Sequence, residues 1–210
     1  MLFTSGDTIN HMRPSNTNKV KTIILASSSP RRKDLLNQIG VAFRVDPAAV
    51  DETVLPGEAP EKYAVRVALE KARVAAARAG AGLVIAADTI VVLNDEILGK
   101  PADARDAERM LMLLSGKAHC VITGLAVMDA ATGRALTRTS LTRVWFRGLS
   151  QHEIASYVAT GEPLDKAGAY GIQERGALFV ERIDGCYFNV VGLPLSLLAE
   201  LLRDMDRTII

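Results

Sequence analysis

The fold class is decided by one stretch near the N-terminus, Thr22-Ile23-Ile24-Leu25-Ala26-Ser27-Ser28-Ser29-Pro30-Arg31-Arg32-Lys33-Asp34-Leu35-Leu36. Its first five residues form a short apolar run, which is typical of a buried strand. Ser29 is a good N-cap and Pro30 suits the first helical position, so a helix is expected to follow at once. Gly40 is placed to end that helix. A buried strand that passes directly into a helix predicts an α/β protein.

Strands and helices are interspersed along the rest of the chain. The patterns predict a strand into Val45, helices over 60–80 and 103–116, β segments over 83–93, 119–128 and 136–146, a helix over 150–161, short strands over 177–183 and 186–191, and a last helix from Pro194. In the helix over 60–80 the expected apolar stripe is Tyr63, Val67 and Val74, with Arg66 and Glu70 paired on another face. Asn94-Asp95 is a plausible tight turn, so hairpins occur as well and the sheet should be mixed.

Composition excludes several classes of protein. The chain has 210 residues, with 25 Lys+Arg against 24 Asp+Glu and a net charge of +1. Hydrophobic residues make up 49% and charged residues 23%, which is the composition of a soluble globular protein rather than a disordered one. Phosphate backbones demand a basic excess, so no nucleic acid is expected as a partner. Any anion site must therefore be local.

The two cysteines, Cys120 and Cys186, lie far apart in the sequence and form no CxxC pattern. A disulfide scaffold or a zinc site is therefore not expected, and the cytoplasm fits this cysteine usage. No stretch approaches the roughly 20 apolar residues of a membrane span, so no membrane partner is expected. The polar residues 1–20 lack the apolar core of a secretory signal and are expected to form a flexible leader.

The turn before the first helix is the first candidate for chemistry. Cations in the first helical turn oppose the helix dipole, so Arg31 and Arg32 are locally unfavourable unless an anion joins them. Backbone N–H groups, the hydroxyls of Ser27 and Ser29 and the two guanidinium groups would together suit a phosphate. Alternatively, Ser29 only caps the helix and the arginines point into water.

Asp88 is the second candidate, because it interrupts an apolar run over 83–93. Burying an unpaired carboxylate costs several kcal/mol, so this residue should have a partner. A metal ion, a lysine or a catalytic proton would each supply one. The alternatives are a purely structural salt bridge and an aspartate at a strand end that faces solvent.

Three lysines and one acidic pair complete the candidates. Lys71 borders the apolar stripe of its helix, Lys100 lies between Gly99 and Pro101, and Lys166 follows Asp165. Each of these is individually more typical of a solvated or snorkelling lysine, and the three gain weight only if the fold brings them together. The acidic pair Asp51-Glu52 is either solvated or a source of oxygen ligands for magnesium.

Read together, these segments resemble the Maf family. The segments that carry the resemblance are Leu25-Ala26-Ser27-Ser28-Ser29-Pro30-Arg31-Arg32, Glu70-Lys71-Ala72, Ala87-Asp88-Thr89, Gly99-Lys100-Pro101, Leu113-Leu114-Ser115-Gly116 and Asp165-Lys166-Ala167-Gly168-Ala169-Tyr170-Gly171-Ile172-Gln173. They occur in collinear order from about residue 22 to about residue 203, and the first and last strings are long and specific. The resemblance implies an elongated mixed β-sheet flanked by helices, with two lobes around a central cleft, in the Maf/inosine-triphosphate-pyrophosphatase-like manner. It also implies a single domain over 21–207.

The resemblance further implies a nucleoside triphosphate pyrophosphatase, which cleaves between the α and β phosphates to release pyrophosphate in the housecleaning of nucleotide pools. Asp88 matches the family's proton acceptor, and Arg31, Thr89 and Gln173 match positions associated with substrate choice. Thr89 and Gln173 resemble the dTTP/UTP branch, with the 7-methyl-GTP branch as the alternative. A nucleotide-binding regulator of septum formation without essential catalysis is the alternative from another class.

The family usually uses a divalent cation and often forms dimers, so a homodimer is an assembly to test. Asp88 and Glu52 are the expected ligands of the metal, with Mg²⁺ as the first choice and Mn²⁺ as its alternative. Whether Asp88 acts mainly as a base or as a metal ligand stays open. The expected phosphate ligands are Ser27, Ser29, Arg31, Arg32, Lys71, Lys100 and Lys166.

Overall fold

The structure is a computed structural model that describes residues 21–209, so the leader expected over 1–20 lies outside the described residues. Within this range seven strands form one sheet, and helices flank it. The strands are β1 (Ile23–Leu25), β2 (Phe43–Val45), β3 (Leu83–Leu93), β4 (Glu96–Leu98), β5 (Ala118–Asp129), β6 (Ala135–Phe146) and β7 (Val180–Asp184). The helices are α1 (Pro30–Gln38), α2 (Pro60–Ala79), α3 (Ala104–Leu114), α4 (Gln151–Val158), α5 (Tyr187–Val191) and α6 (Leu195–Asp204).

The sheet is mixed, as the sequence predicted. Its strand order is β2-β1-β3-β5-β6-β7, with β4 added beside β3. Strand β1 runs parallel to both β2 and β3, whereas the pairs β3–β4, β3–β5, β5–β6 and β6–β7 are antiparallel. Asn94 and Asp95 both adopt positive φ in the tight turn between β3 and β4, which is the geometry of a two-residue hairpin turn.

One edge of β3 is interrupted in its middle. The other edge pairs with β5 from Leu83 to Val92. On the interrupted edge, β1 pairs with residues 83–85 and β4 pairs with residues 91–93. Between these two partners, in the part of the chain that the structure describes, residues 86–90 have no strand beside them. Asp88 and Thr89 lie in that gap. Both can therefore be approached from the edge of the sheet, although the neighbouring residues of β3 are buried.

The two faces of β3 are covered by different helices. Helix α2 covers the face of Val84 and Ala86, and its small residues Ala68, Ala72 and Ala75 pack closely there. The opposite face carries two separate apolar clusters. One joins the start of β3 to α1, α5 and α6, and the other joins the end of β3 to α3 and α4. The long strands thus connect two packed halves.

One local prediction about a helix was wrong, and another is confirmed in its position but not in its hydrogen bond. Val74 was expected in the apolar stripe of α2 but is 37% exposed, because the helix packs on β3 and β5 mainly through alanines. Ser29 stands at the N-cap position of α1, but its side chain makes no capping hydrogen bond. Its backbone N–H donates to Ser27 Oγ instead. The pair Arg66 and Glu70 is present as predicted, at 3.5 Å.

The glycine-rich segment before α6 also differs from its prediction. Residues 186–191 were expected to be a strand, but Tyr187–Val191 form helix α5 with Cys186 at its N-cap, and residues 175–179 form a 3-10 turn before β7 begins at Val180. The apolar and β-branched run favoured a strand locally. Tertiary contacts override it, since the buried Asn189 donates from Nδ2 to Val121 O and to Thr142 Oγ1.

Candidate active site

A cleft of about 420 Å³ opens at the gap in the edge of β3. Its walls come from the turn before α1, the loop before α2, the middle of β3, the loop after β4 and the segment 165–173. The residues expected to have a catalytic, phosphate, metal or specificity role all line it: Ser27, Ser29, Arg31, Arg32, Glu52, Lys71, Asp88, Thr89, Lys100, Lys166 and Gln173. Asp51, the other member of the acidic pair, does not line it. Segments that are far apart in the sequence therefore converge on one site.

Asp88 is buried in the floor of the cleft, and its partner is a lysine of α2. The side chain is directed to the α2 face of the sheet, where Lys71 Nζ donates to Asp88 Oδ1 at 2.8 Å. The same ammonium lies 2.7 Å from Glu52 Oε1. Asp88 and Lys71 are 7% and 9% exposed, so this ion pair is largely shielded from solvent. The charge of the buried carboxylate is thus compensated, as the apolar context of Asp88 required.

On the side of the floor away from Lys71, all three guanidinium nitrogens of Arg32 donate hydrogen bonds to the protein. Its Nε donates to Gly192 O at 2.9 Å, Nη1 donates to Ser27 Oγ at 3.2 Å and Nη2 donates to Thr89 Oγ1 at 3.0 Å. Burial lowers the pKa of Arg32, and the nearby charge of Asp88 opposes that shift. A phosphate that binds Arg32 would have to share or replace these hydrogen bonds.

Thr89 belongs to a buried polar layer that separates the two apolar clusters on its face of the sheet. Its hydroxyl lies 2.9 Å from Thr123 Oγ1, which in turn donates to Asn189 O at 3.3 Å. Neither hydroxyl is free to rotate without breaking a contact. This layer fixes the side chain of Thr89 and, through it, the guanidinium of Arg32.

The outer wall of the cleft is closed by a carboxylate between two cations. Asp165 Oδ2 accepts from Arg31 Nη1 at 3.3 Å, and Asp165 Oδ1 accepts from Lys166 Nζ at 2.9 Å. Lys166 is 7% exposed and also donates to Glu162 O at 2.7 Å. Burial opposes ionisation of Asp165, but the hydrogen bond from Lys166 and the charge of Arg31 lower the pKa of Asp165 below its usual value. Two cations with an exposed anion between them can exchange that anion for a phosphate.

Lys100 and Gln173 reach the same cleft from its rim. Both side chains are exposed, Lys100 from the loop after β4 and Gln173 from the segment after Gly171. Ser29 is half-buried at the start of α1, where the backbone N–H groups of the first turn have no partner within the helix. The rim thus offers an ammonium and an amide, and the helix start offers N–H donors.

The acidic residues of the cleft fit a hard divalent cation in part. Residues 21–209 contain no group of three or more His, Cys, Asp or Glu side chains arranged to hold a metal. Asp88 and Glu52 nevertheless direct one oxygen each to the same Lys71 ammonium. Mg²⁺ commonly binds through one or two carboxylates and takes its remaining ligands from water and substrate phosphates. The donor set therefore suits a cation that arrives together with a phosphorylated substrate.

Known proteins resemble this chain over most of its length. A family model described as "Maf-like protein" matches residues 22–205. The chain belongs to the Maf family. A relative in Syntrophomonas wolfei named "dTTP/UTP pyrophosphatase" is 54% identical over 82% of this chain and 91% of its own length. Relatives with the same name in Pelotomaculum thermopropionicum and Methanosarcina barkeri are 52% and 49% identical, each over 88% of this chain and at least 94% of their own length.

The fold of this Maf protein also has a solved counterpart. A structure described as a HAM1 protein from Coxiella burnetii superposes with a TM-score of 0.52 over 88% of this chain and 100% of the other, at 18% identity. At that identity the likeness concerns the fold alone. It confirms the predicted mixed α/β class. Among residues 21–209, no helix has both the length and the apolar character needed to cross a membrane.

Three residues near the site make contacts that the sequence does not predict. Asp165 directly precedes Lys166, and an acid beside a basic candidate is a signal for that ion pair, whereas nothing in the sequence indicates its contact with Arg31. Tyr63 was assigned to the apolar stripe of α2, yet its hydroxyl donates to Glu52 O at 2.8 Å. His119 is 2% exposed and lies 2.8 Å from the hydroxyl of Tyr170, which lines the cleft of this Maf protein. Nothing local in the sequence indicates that last contact.

Proposed function

We propose that this Maf-family protein hydrolyses dTTP and UTP to the nucleoside monophosphate and pyrophosphate. Water attacks the α-phosphorus, the bond from that phosphorus to the oxygen that bridges it to the β-phosphate breaks, and pyrophosphate leaves. The observation that carries the proposal is the convergence of Asp88 with the cationic residues of four separate segments in one cleft. Relatives about half identical over most of the chain bear the name of this activity.

The cations of the cleft supply what phosphoryl transfer needs most. The reaction requires charge neutralisation and in-line positioning rather than covalent help from the protein. We assign the triphosphate to Arg31, Lys100 and Lys166, whose charged groups line the rim and outer wall. Ser27, Ser29, Arg32 and Lys71 complete the phosphate ligands, with Arg32 and Lys71 exchanging or sharing their present protein contacts.

Asp88 and Glu52 are the residues we assign to the attacking water and to a divalent cation. A bound Mg²⁺, or Mn²⁺ in its place, would supply Lewis-acid polarisation of the phosphate oxygens. Asp88 lies in the floor with one oxygen on Lys71 Nζ, so its carboxylate is held in place by that contact. It can accept the proton of the water or orient it through the cation.

Base selection is assigned to Gln173 and Thr89, together with Arg31. The amide of Gln173 can offer both a donor and an acceptor to a pyrimidine edge, and it lies exposed at the rim. Thr89 is held by Arg32 and Thr123, so it acts through a fixed hydroxyl.

A pyrophosphate-release panel tests the activity and its branch. We expect turnover of dTTP and UTP that requires a divalent cation and is abolished by a chelator. Turnover of 7-methyl-GTP in place of both pyrimidine nucleotides would move the protein to the alternative branch. Nucleotide binding without metal-dependent turnover would leave the alternative of a regulator without essential catalysis.

Replacing Asp88 should remove turnover and leave the fold intact. We expect Asp88→Asn to lower kcat for dTTP by at least about 100-fold, since the amide neither accepts a proton nor carries the charge that a cation needs. The measurement is pyrophosphate release, accompanied by circular dichroism. The matched control is Asp95→Asn in the β3–β4 turn, whose positive φ asparagine tolerates. A kcat near that of the wild type would take Asp88 out of the mechanism.

The cytoplasmic location and the homodimer stay predictions. Cys120 and Cys186 are both free thiols, which suits a reducing compartment. Sedimentation equilibrium of the purified chain measures the assembly directly.

A further inference from the structure

Glu52 owes its place in the cleft to contacts other than regular secondary structure. It lies in the segment between β2 and α2, residues 46–59, which contains neither helix nor strand. Residues 51–55 are all exposed, so apolar burial does little to hold them. The Glu52 carboxylate nevertheless sits 2.7 Å from Lys71 Nζ. Something else must restrict this stretch of backbone.

Two side chains of α2 hold two successive backbone carbonyls of that segment. Tyr63 donates from its hydroxyl to Glu52 O at 2.8 Å. Arg66 donates from Nη2 to Thr53 O at 2.9 Å. The same guanidinium binds both oxygens of Glu58, at 2.7 Å from Nε and 2.8 Å from Nη2. The stretch from Glu52 to Glu58 is thus fixed at both of its ends.

The two anchors are themselves fixed. The ring of Tyr63 is 6% exposed in an apolar cluster with Val67, Ile90 and Ile122. The Arg66 guanidinium lies 5.4 Å above that ring. Burial raises the pKa of Tyr63 to about 12, and the charges of Asp88 and Glu52 act in the same direction, so the hydroxyl keeps its proton and donates at neutral pH. Because Tyr63 and Lys71 are two turns apart on one face of α2, one rigid helix presents both the anchor and the ammonium.

We propose that Tyr63 and Arg66 are positioning residues that hold the Glu52 carboxylate beside Asp88, so that the pair is preorganised to take a divalent cation. The inference rests on the proposed function, in which Glu52 is a metal ligand. Tyr63 lines the cleft, but we assign neither anchor a contact with the substrate or the cation. Without these two anchors the segment can move away from Asp88. The entropy cost of ordering it again then falls on cation binding and lowers the affinity for the cation.

The first test is Tyr63→Phe, which keeps the buried ring and removes only the hydroxyl. Removing a hydrogen bond that orients a metal ligand typically lowers metal affinity by about 10- to 100-fold. We expect the Mg²⁺ concentration for half-maximal pyrophosphate release to rise about 10-fold, with kcat at saturating Mg²⁺ within about twofold of the wild type. Titration of Mn²⁺ by electron paramagnetic resonance, with a non-hydrolysable nucleotide bound, should show the same loss of affinity without turnover.

Arg66→Lys is the second variant, since it keeps the charge but removes the fork that joins Thr53 to Glu58. It should weaken metal activation in the same direction as Tyr63→Phe. The matched control is Tyr187→Phe, an exposed tyrosine of α5. Unchanged metal dependence in both α2 variants would overturn the inference.

A double-mutant cycle separates positioning from general stability. In a Glu52→Gln background the metal effect of Tyr63→Phe should vanish, because the ligand that Tyr63 positions is already lost. An undiminished effect in that background would show that Tyr63 acts elsewhere. The two proposals also fail differently. A wild-type metal dependence of Glu52→Gln would refute the metal role of Glu52, whereas an impaired Glu52→Gln beside a normal Tyr63→Phe would refute only the positioning role.

Discussion

A single glycine sets how closely α2 approaches the sheet and hence where Lys71 meets Asp88. A Cβ on Gly124 would lie 2.2 Å from both the carbonyl carbon and the oxygen of Ala64. We expect Gly124→Ala to destabilise the protein by about 2–3 kcal/mol, because backbone atoms must move to relieve the overlap. Urea unfolding measures the loss. Gly148→Ala is the control, since its Cβ would meet nothing within 4 Å. Equal stability of the two variants would contradict the close approach.

His119 should make the stability of the protein depend on pH. Burial lowers the pKa of His119 from 6.5 to about 4, so the folded protein keeps this side chain neutral. Above pH 6.5 it is neutral in both states and contributes no difference. Between pH 6.5 and about 4 the unfolded chain binds the proton and the folded chain does not, so the free energy of unfolding falls by up to about 3 kcal/mol.

The check is a series of urea unfolding curves over that pH window. His119→Gln, which retains a group for the Tyr170 hydroxyl but cannot titrate, should show a shallower fall in the free energy of unfolding. His152→Gln, an exposed histidine of α4, is the matched control. A slope in His119→Gln equal to that of the wild type would assign the pH dependence to other groups.

At the scale of elements, Asp165 connects the start of α1 to the segment that carries Gln173. Its bonds to Arg31 and Lys166 occupy cations that we assign to the triphosphate. Its side chain is 62% exposed, so the contact is worth about 1 kcal/mol or less. We expect Asp165→Asn to lower the KM for dTTP by up to about fivefold at unchanged kcat. Asp184→Asn on β7 is the control, and a raised KM in Asp165→Asn would show that the carboxylate orders the cations instead.

At the scale of the whole molecule, the substrate should bind both walls of the cleft at once. The walls come from residues 26–32 and 165–173, among other segments. We expect an α,β-methylene analogue of dTTP with Mg²⁺ to slow amide exchange in both segments together. At a concentration of about 100 times its Kd, the analogue should raise the free energy of unfolding by about 2.7 kcal/mol. That corresponds to a Tm increase of about 5–10 °C for a domain of this size. Protection of one wall alone would contradict a shared site.

Much of the fold could be predicted because its signals are local. Backbone preferences of neighbouring residues are enough to predict three of its features. These are the strand-to-helix passage over 22–36, the long apolar run over 83–93 and the Asn94-Asp95 turn. The segment 186–191 shows the limit of that approach. Its apolar pattern favours a strand, but the buried amide of Asn189 bonds to β5 and β6 and holds the chain as a helix.

By itself, the sequence determined the α/β class, the family and the need of Asp88 for a partner, because burial pattern and motif spacing are properties of the chain. The tertiary structure alone decided which partner Asp88 has and where the edge of β3 is open. It alone also showed that the Tyr63 hydroxyl donates to the backbone oxygen of Glu52. These depend on through-space contacts between groups as far apart as Arg32 and Gly192, 160 residues from each other. A charged side chain forms hydrogen bonds with the polar groups that the fold places within about 3 Å of it. Local sequence patterns carry no information about such distances.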